Sequence, residues 1–465
     1  MTIAAVRPAA HPGPATARPE SERDGAVDAA RAFCLVVVLA LHALMVGVSL
    51  DASGPVLGNA LDGWAGLAPL TWFAQVMPLF FVIGGFAGRR GWQRMRSRGG
   101  TAGDFVRGRL ARLVRPAVAL VGFVGLGLAA LSVAGVPADI VATAGFRIGQ
   151  PLWFLAVYLG ATALVPAMSR LHERRPLTVV AALAALALAV DGLRAATGIT
   201  AFGLLNLAFV WLLVQQFGFF LADGRLERHS RRVRALALLA ALGMLASLIV
   251  LGGYSPDLLE NLNPPTFALV PLGVAQLLAF SLVRPALGRW AARPGPARLV
   301  ARFGEQGMTL YLWHLTAYVL LAGVLLLGAQ AGAIGLPAPQ TAEWWLSRPV
   351  WLLAAIALAV LLARATARFE RGGRIVPQSW AGRRMTRAGV PVGVAVPAGI
   401  LGVVVVLVHG FGPLPALVSA GLLLVALAGS SKPGPQVSGA GIEDDRAGSP
   451  ARAARGLASG DERRS

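Results

Sequence analysis

The sequence predicts an all-α protein, a polytopic integral membrane helical bundle of about twelve transmembrane helices, with both termini cytoplasmic. Three observations carry this. Of the 465 residues, 56% are hydrophobic and only 14% are charged, against roughly 25% in soluble domains; the mean hydropathy is +0.66. Apolar runs of spanning length recur at residues 30–50, 67–87, 116–136, 152–168, 177–193, 202–222, 235–251, 267–283, 308–327, 350–363, 390–408 and 412–429. With a cytoplasmic N-terminus, the outer loops hold only Arg147, Arg194 and Arg348, which leaves 39 of the 42 Lys and Arg residues on the inner side. Basic residues mark cytoplasmic loops. The net charge of +20 would suggest nucleic acid in a soluble chain. Here it is topology, and membrane lipid rather than nucleic acid is the expected surrounding.

Residues 1–27 mix Pro, Ala, Arg and acids and read as a disordered lead. No short apolar region with a cleavage site precedes the first span, so a removable signal peptide is not expected. Cys34 is the single cysteine, which excludes an intrachain disulfide. Lys432 is the only lysine, and the excess of Arg, Ala, Gly and Leu fits a high-GC bacterial genome, hence a bacterial cytoplasmic membrane.

The first span carries two polar residues, Arg31 and His42. Eleven residues at about 100° each leave them about 20° apart around the helix and about 16 Å apart along it. With Arg31 at the inner surface, His42 lies near the middle of a hydrocarbon layer roughly 30 Å thick. An ionisable side chain at that depth reads as functional, or as glue between helices.

Later segments add candidates. The second span ends with Gly84-Gly85-Phe86, where paired glycines suit close helix approach. Before the third span come Arg109, Arg112 and Arg115, spaced by three, which on a helix are expected to form one guanidinium stripe. Such forks suit phosphate oxygens; basic inner loops that orient the chain and attract anionic lipid are the competing reading. Trp153 and Tyr158 open the fourth span and suit a packing role or an interfacial belt. Met308-Thr309-Leu-Tyr311-Leu-Trp313-His314 opens the ninth, placing His314 about two turns in from the inner end. His172 and His229 sit in basic inner loops and read as solvated, as does His409 at an outer helix end. No metal constellation, P-loop, nucleotide fingerprint or Gly-x-Ser-x-Gly is visible, and no bound cofactor is expected.

These blocks resemble a known family. Asp28-x-x-Arg31-Ala followed by an apolar run to His42, Phe105-x-x-x-Arg109-x-x-Arg112-Leu-x-x-Pro116, Leu152-Trp153-Phe154-Leu155 and Thr309-x-Tyr311-x-x-His314 are similar to motifs of the membrane-bound acyltransferase family 3, over about residues 25–375. Gly84 stands where the family has serine, and Asn261-Leu-Asn-Pro-Pro-Thr266 resembles actinobacterial members. The resemblance implies an acyltransferase that moves an acyl group, often acetyl, from acyl-CoA to a hydroxyl of a carbohydrate, lipid or other metabolite. It implies His42 and His314 as catalytic residues and Arg31, Arg109, Arg112 and Arg115 as the acyl-CoA phosphate site. The expected organisation is a ten-helix domain at 28–375, two additional helices within 388–429, and a disordered cytoplasmic tail at 430–465. The alternative is a twelve-helix secondary transporter or flippase. Against it stand the absence of an internal repeat and the expectation that no span carries an acidic residue for proton coupling.

Overall fold

The computed structural model describes residues 24–51, 54–370 and 390–430. The lead before residue 24, the segment 371–389 with the expected domain end at 375, and the tail from 431 lie outside the described residues. Among the described residues, eleven helices are long and apolar enough to cross a membrane, and a shorter apolar one follows. The expected twelfth span is that shorter helix, of 16 residues, about 24 Å against a hydrocarbon layer of roughly 30 Å.

In chain order the helices are α1 (Gly25–Met45), α2 (Leu67–Ala74), α3 (Met77–Ser97), α4 (Ala102–Val133), α5 (Ala138–Gly149), α6 (Leu152–Ala163), α7 (Val165–Arg174), α8 (Pro176–Thr197), α9 (Asn206–Ala222), α10 (Arg231–Gly252), α11 (Leu269–Ala291), α12 (Pro294–Gln330), α13 (Ala342–Glu370), α14 (Val392–His409) and α15 (Pro413–Ala428). An antiparallel hairpin, β1 (Val46–Asp51) and β2 (Gly54–Asn59), follows α1. The first span therefore stops five residues earlier than its hydropathy suggests.

That early stop leaves carbonyls at the end of α1 without intrahelical donors. The Ala43 carbonyl accepts from Trp351 Nε1 at 2.7 Å, and the Met45 carbonyl accepts from the Ala60 amide at 2.8 Å. A second interruption separates α2 from α3, ahead of Pro78. There Gln276 Nε2 donates to the Gln75 carbonyl at 2.7 Å, and the Leu79 amide donates to Gln276 Oε1 at 2.8 Å. Broken helices survive at membrane depth only with such substitutes.

The basic stretches 102–115 and 294–307, which lie outside the apolar runs, are helical. A capping box joins Thr101 to Asp104 at the start of α4, so the four arginines from Arg107 to Arg115 ride on the spanning helix itself. Likewise α12 begins at Pro294, far ahead of the expected start of the ninth span.

The core is set by the crossing of α3 and α9. A Cβ on Gly218 would lie 2.0 Å from the Val82 carbonyl oxygen, and one on Gly85 would lie 2.3 Å from the Gln215 carbonyl oxygen. Gly85 thus acts in close helix approach, as expected. Gly84 instead faces a tyrosine ring, that of Tyr158.

At the arginine-rich end, Arg89 forks onto Asp223, with Nε to Oδ1 at 2.6 Å and Nη2 to Oδ2 at 3.1 Å. His172 Nε2 lies 3.3 Å from Asp223 Oδ2 and its Nδ1 lies 2.7 Å from Gln216 Oε1. His172 is fully buried in this clasp of α3, α7 and α9, which corrects its reading as a solvated loop residue. His229 and His409 are exposed. Asp191, in α8, corrects the expectation that no span carries an acid. It accepts hydrogen bonds from Asn206 Nδ2, Tyr254 Oη and the Phe267 amide at 2.9, 2.9 and 2.7 Å, and so ties α8 to α9 and to the loop before α11.

Two outcomes follow. Gly218→Ala should destabilise the detergent-solubilised protein by about 1–3 kcal/mol or more through overpacking. Gly243→Ala, whose Cβ would meet nothing within 4 Å, should leave its unfolding temperature unchanged. Burial holds His172 below the ordinary value of 6.5, with Arg89 and Arg225 acting in the same direction and Gln216 and Asp223 opposing. The unfolded chain then takes up this proton first as pH falls, so the contribution is present above 6.5 and is lost below it. Thermal unfolding from about pH 8 down to about pH 5 should show a steeper fall in wild type than in His172→Gln.

Candidate active site

Two helices distant in sequence supply the centre. His42 near the end of α1 and His314 in the middle of α12 lie side by side, with Nδ1 of His42 2.7 Å from Nε2 of His314. Their rings are nearly coplanar in tilt, 5° apart, with centroids 5.0 Å apart. Reading His314 as two turns into the ninth span did not reveal this contact with His42, which sets the two imidazoles at one level. Helix α12 starts 14 residues before the hydropathy boundary, so His314 lies in the middle of a long helix, about 30 Å from its start.

Hydrogen bonds order the protons of this pair. His314 Nδ1 donates to the Tyr311 carbonyl, which can only accept. With one proton on each ring, His314 Nε2 then presents a lone pair, and His42 Nδ1–H donates to it. The remaining nitrogen, His42 Nε2, carries a lone pair and has no hydrogen-bond partner among the described residues. The α1 backbone beneath is pinned by Tyr318 Oη, which donates to the Leu39 carbonyl at 3.0 Å.

Two cavities meet α1 along one face. The first, about 160 Å³, opens at the arginine-rich end and is lined there by Arg31, Arg109 and Arg112, then by Cys34, Leu35 and Val38 going inward. The second, about 430 Å³, lies beyond and is lined by Leu41, His42 and Met45 from α1, with Asn59, Arg147 and Gln150 opposite. These α1 positions recur at three- and four-residue steps, so one helix stripe serves both. Between them stands Tyr311, which lines the first cavity and donates its hydroxyl to the Pro151 carbonyl, on the wall of the second, at 2.9 Å. Phe154 meets Tyr311 edge-on at 5.2 Å.

The cations of the first cavity are unequal. Arg31 pairs with Asp28 at 3.1 Å. Arg109 lies across the Phe105 ring at 5.2 Å and against Gly91, where a Cβ would come within 2.9 Å of its Nη2. Neither Arg109 nor Arg112 has a carboxylate partner among the described residues. Arg115 does not line the cavity, which corrects the expected stripe. Each step of three residues turns back by about 60°, so Arg115 is about 120° around α4 from Arg109.

A family model described as an acyltransferase domain matches residues 24–367, a span that includes both histidines and all four arginines. The chain belongs to the acyltransferase 3 family. It is a multi-pass membrane acyltransferase, and this membership displaces the transporter reading. No curated protein and no solved structure matches the chain.

Within this acyltransferase, sequence reasoning overlooked several site residues. Tyr158 and Trp153 do pack among aromatic rings, as one of the two expectations had it, and also line the first and second cavities respectively. Asn263 of the Asn-Pro-Pro phrase also lines the second cavity, while Asn261 is structural, donating to the Ser255 and Asp257 carbonyls at 2.9 and 3.1 Å. A tyrosine seven residues into a run that starts at Leu152 was the available signal for Tyr158. Among the described residues, no three His, Cys, Asp or Glu side chains are close enough to share a metal ion.

Proposed function

We propose that this acyltransferase moves an acyl group, acetyl in the first instance, from acyl-CoA to a hydroxyl of a carbohydrate, lipid or other metabolite. The observation that carries the reading is the His42–His314 pair, with His42 on the wall of the larger cavity and Tyr311 parting that cavity from the arginine-lined one. In this reading the arginine-rich end is cytoplasmic, in a bacterial cytoplasmic membrane, and the donor enters there. Guanidinium groups without carboxylate partners suit a polyanion, and the CoA moiety carries a pyrophosphate and a 3′-phosphate. The pantetheine arm then runs along the Cys34, Leu35 and Val38 stripe, over the roughly 16 Å that separate Arg31 from His42. The thioester reaches His42 when the Tyr311 hydroxyl gives up the Pro151 carbonyl.

The acceptor occupies the second cavity. Nε2 of His42 takes the proton of its hydroxyl, and the oxygen attacks the thioester carbonyl. Collapse of the tetrahedral intermediate breaks the carbon–sulfur bond. The proton held by His42 passes to the departing thiolate, so CoA leaves as the thiol and the imidazole is restored. His314 is a positioning residue: its Nε2 keeps the proton of His42 on Nδ1 and the lone pair on the side of the acceptor.

Two measurements test this. Arg109→Ala with Arg112→Ala should weaken acetyl-CoA binding, each lost charge-assisted contact being worth about 1.5–3 kcal/mol. Lysine at both positions should restore only part, because the fork is lost. Unchanged affinity would return these arginines to a role in membrane orientation. For His42, alanine and asparagine should both lower turnover about 10²–10⁴-fold while acetyl-CoA binding persists. An amide can hydrogen-bond to His314 but cannot accept the proton. An asparagine variant with near-normal transfer, measured as labelled acetyl incorporation, would reduce His42 to helix glue.

A further inference from the structure

The last two helices lie outside the matched family domain, which ends at residue 367, yet they reach the site. Leu407 of α14 lines the second cavity together with His42. Two residues past α14, Phe411 is 4% exposed and lies against α5: a Cβ on Gly145 would be 3.4 Å from Phe411 Cβ, and one on Gly149 would be 3.6 Å from Phe411 Cε2. Helix α5 is the element that brings Phe146 and Arg147 to the cavity. Small residues let the hairpin approach the catalytic core closely elsewhere too. A Cβ on Gly399 would be 3.0 Å from Leu159 Cδ2 of α6, and one on Gly125 of α4 would be 2.9 Å from Ala416 Cβ.

We propose that the α14–α15 hairpin is a specificity element that closes one side of the acceptor cavity and, through Phe411, sets the position of α5 across it. The proposal rests on the reading of the second cavity as the acceptor site. Leucine at 407 bounds the cavity by bulk, without a polar group, so it selects by size rather than by hydrogen bonding. The donor cavity has no lining residue from this hairpin, so a substitution at Leu407 acts directly on the acceptor cavity alone.

The test uses the full-length protein with acetyl-CoA and a graded acceptor series of glycerol, glucose and maltose. Leu407→Trp should raise the acceptor KM increasingly with acceptor size, by about tenfold more for maltose than for glycerol. Its acetyl-CoA affinity should stay within about twofold of wild type. Leu407→Ala should shift the same ratio in the opposite direction, which guards against a tryptophan variant that fails to fold. If wild type releases CoA but both variants keep its size ratio, or lose donor and acceptor affinity in step, the hairpin is a structural brace and the proposal is overturned while the acyl-transfer reading stands. If wild type releases no CoA with any member, the size-selection proposal falls, and if it also fails to bind acetyl-CoA the acyl-transfer reading falls with it.

Discussion

The hydrogen bond between His42 and His314 is the interaction on which the rest of the arrangement depends. It joins the first spanning helix to the ninth across 272 residues, with His314 fully buried and His42 on the wall of the second cavity. A net hydrogen bond contributes only about 1 kcal/mol, but a buried polar group left unpaired costs about 1–3 kcal/mol. Each imidazole therefore needs the other, and the Tyr311 carbonyl fixes which nitrogen donates. Positioning of α1 and α12 relative to each other is thus coupled to the proton order of the pair.

The same accounting explains the irregular backbone around the pair. Helix α1 ends early, and its freed carbonyls are taken by Trp351 and Ala60. The break between α2 and α3 is satisfied by Gln276. These substitutions let the chain leave helical geometry beside the cavities, where straight helices would fill the space with side chains. Charged groups are placed unevenly. Arg89, Asp223 and His172 pair at one end, and Asp191 of α8 collects three donors from α9 and the loop before α11. Arg109 and Arg112 are left without acids among the described residues, at the mouth of the first cavity.

Local periodicity was the part of the site legible in the chain. Arg31 and His42 could be placed on one face because an α-helix repeats every 3.6 residues, and both do face the cavities. The same arithmetic, carried through to Arg115, argues against the single stripe that spacing by three suggests. His314 was named from its motif, but its contact with His42 was not legible, because hydropathy does not report which faces of two distant helices meet. Amphipathic extensions such as residues 294–307 and 102–115 carry charges and read as loops, although they continue the spanning helices.

By itself the sequence determined the class of fold, the segregation of basic residues to one end and the residue types available for chemistry. These follow from composition and from short-range repeats, which the bilayer reads directly. The tertiary structure alone decided that the two histidines touch, that Tyr311 divides two cavities, and that a hairpin beyond the family domain reaches the second one. Each of these is a contact between segments far apart in the chain. Such contacts depend on how helices pack around small residues such as Gly85, Gly145 and Gly218, and no one-dimensional period records which faces will meet.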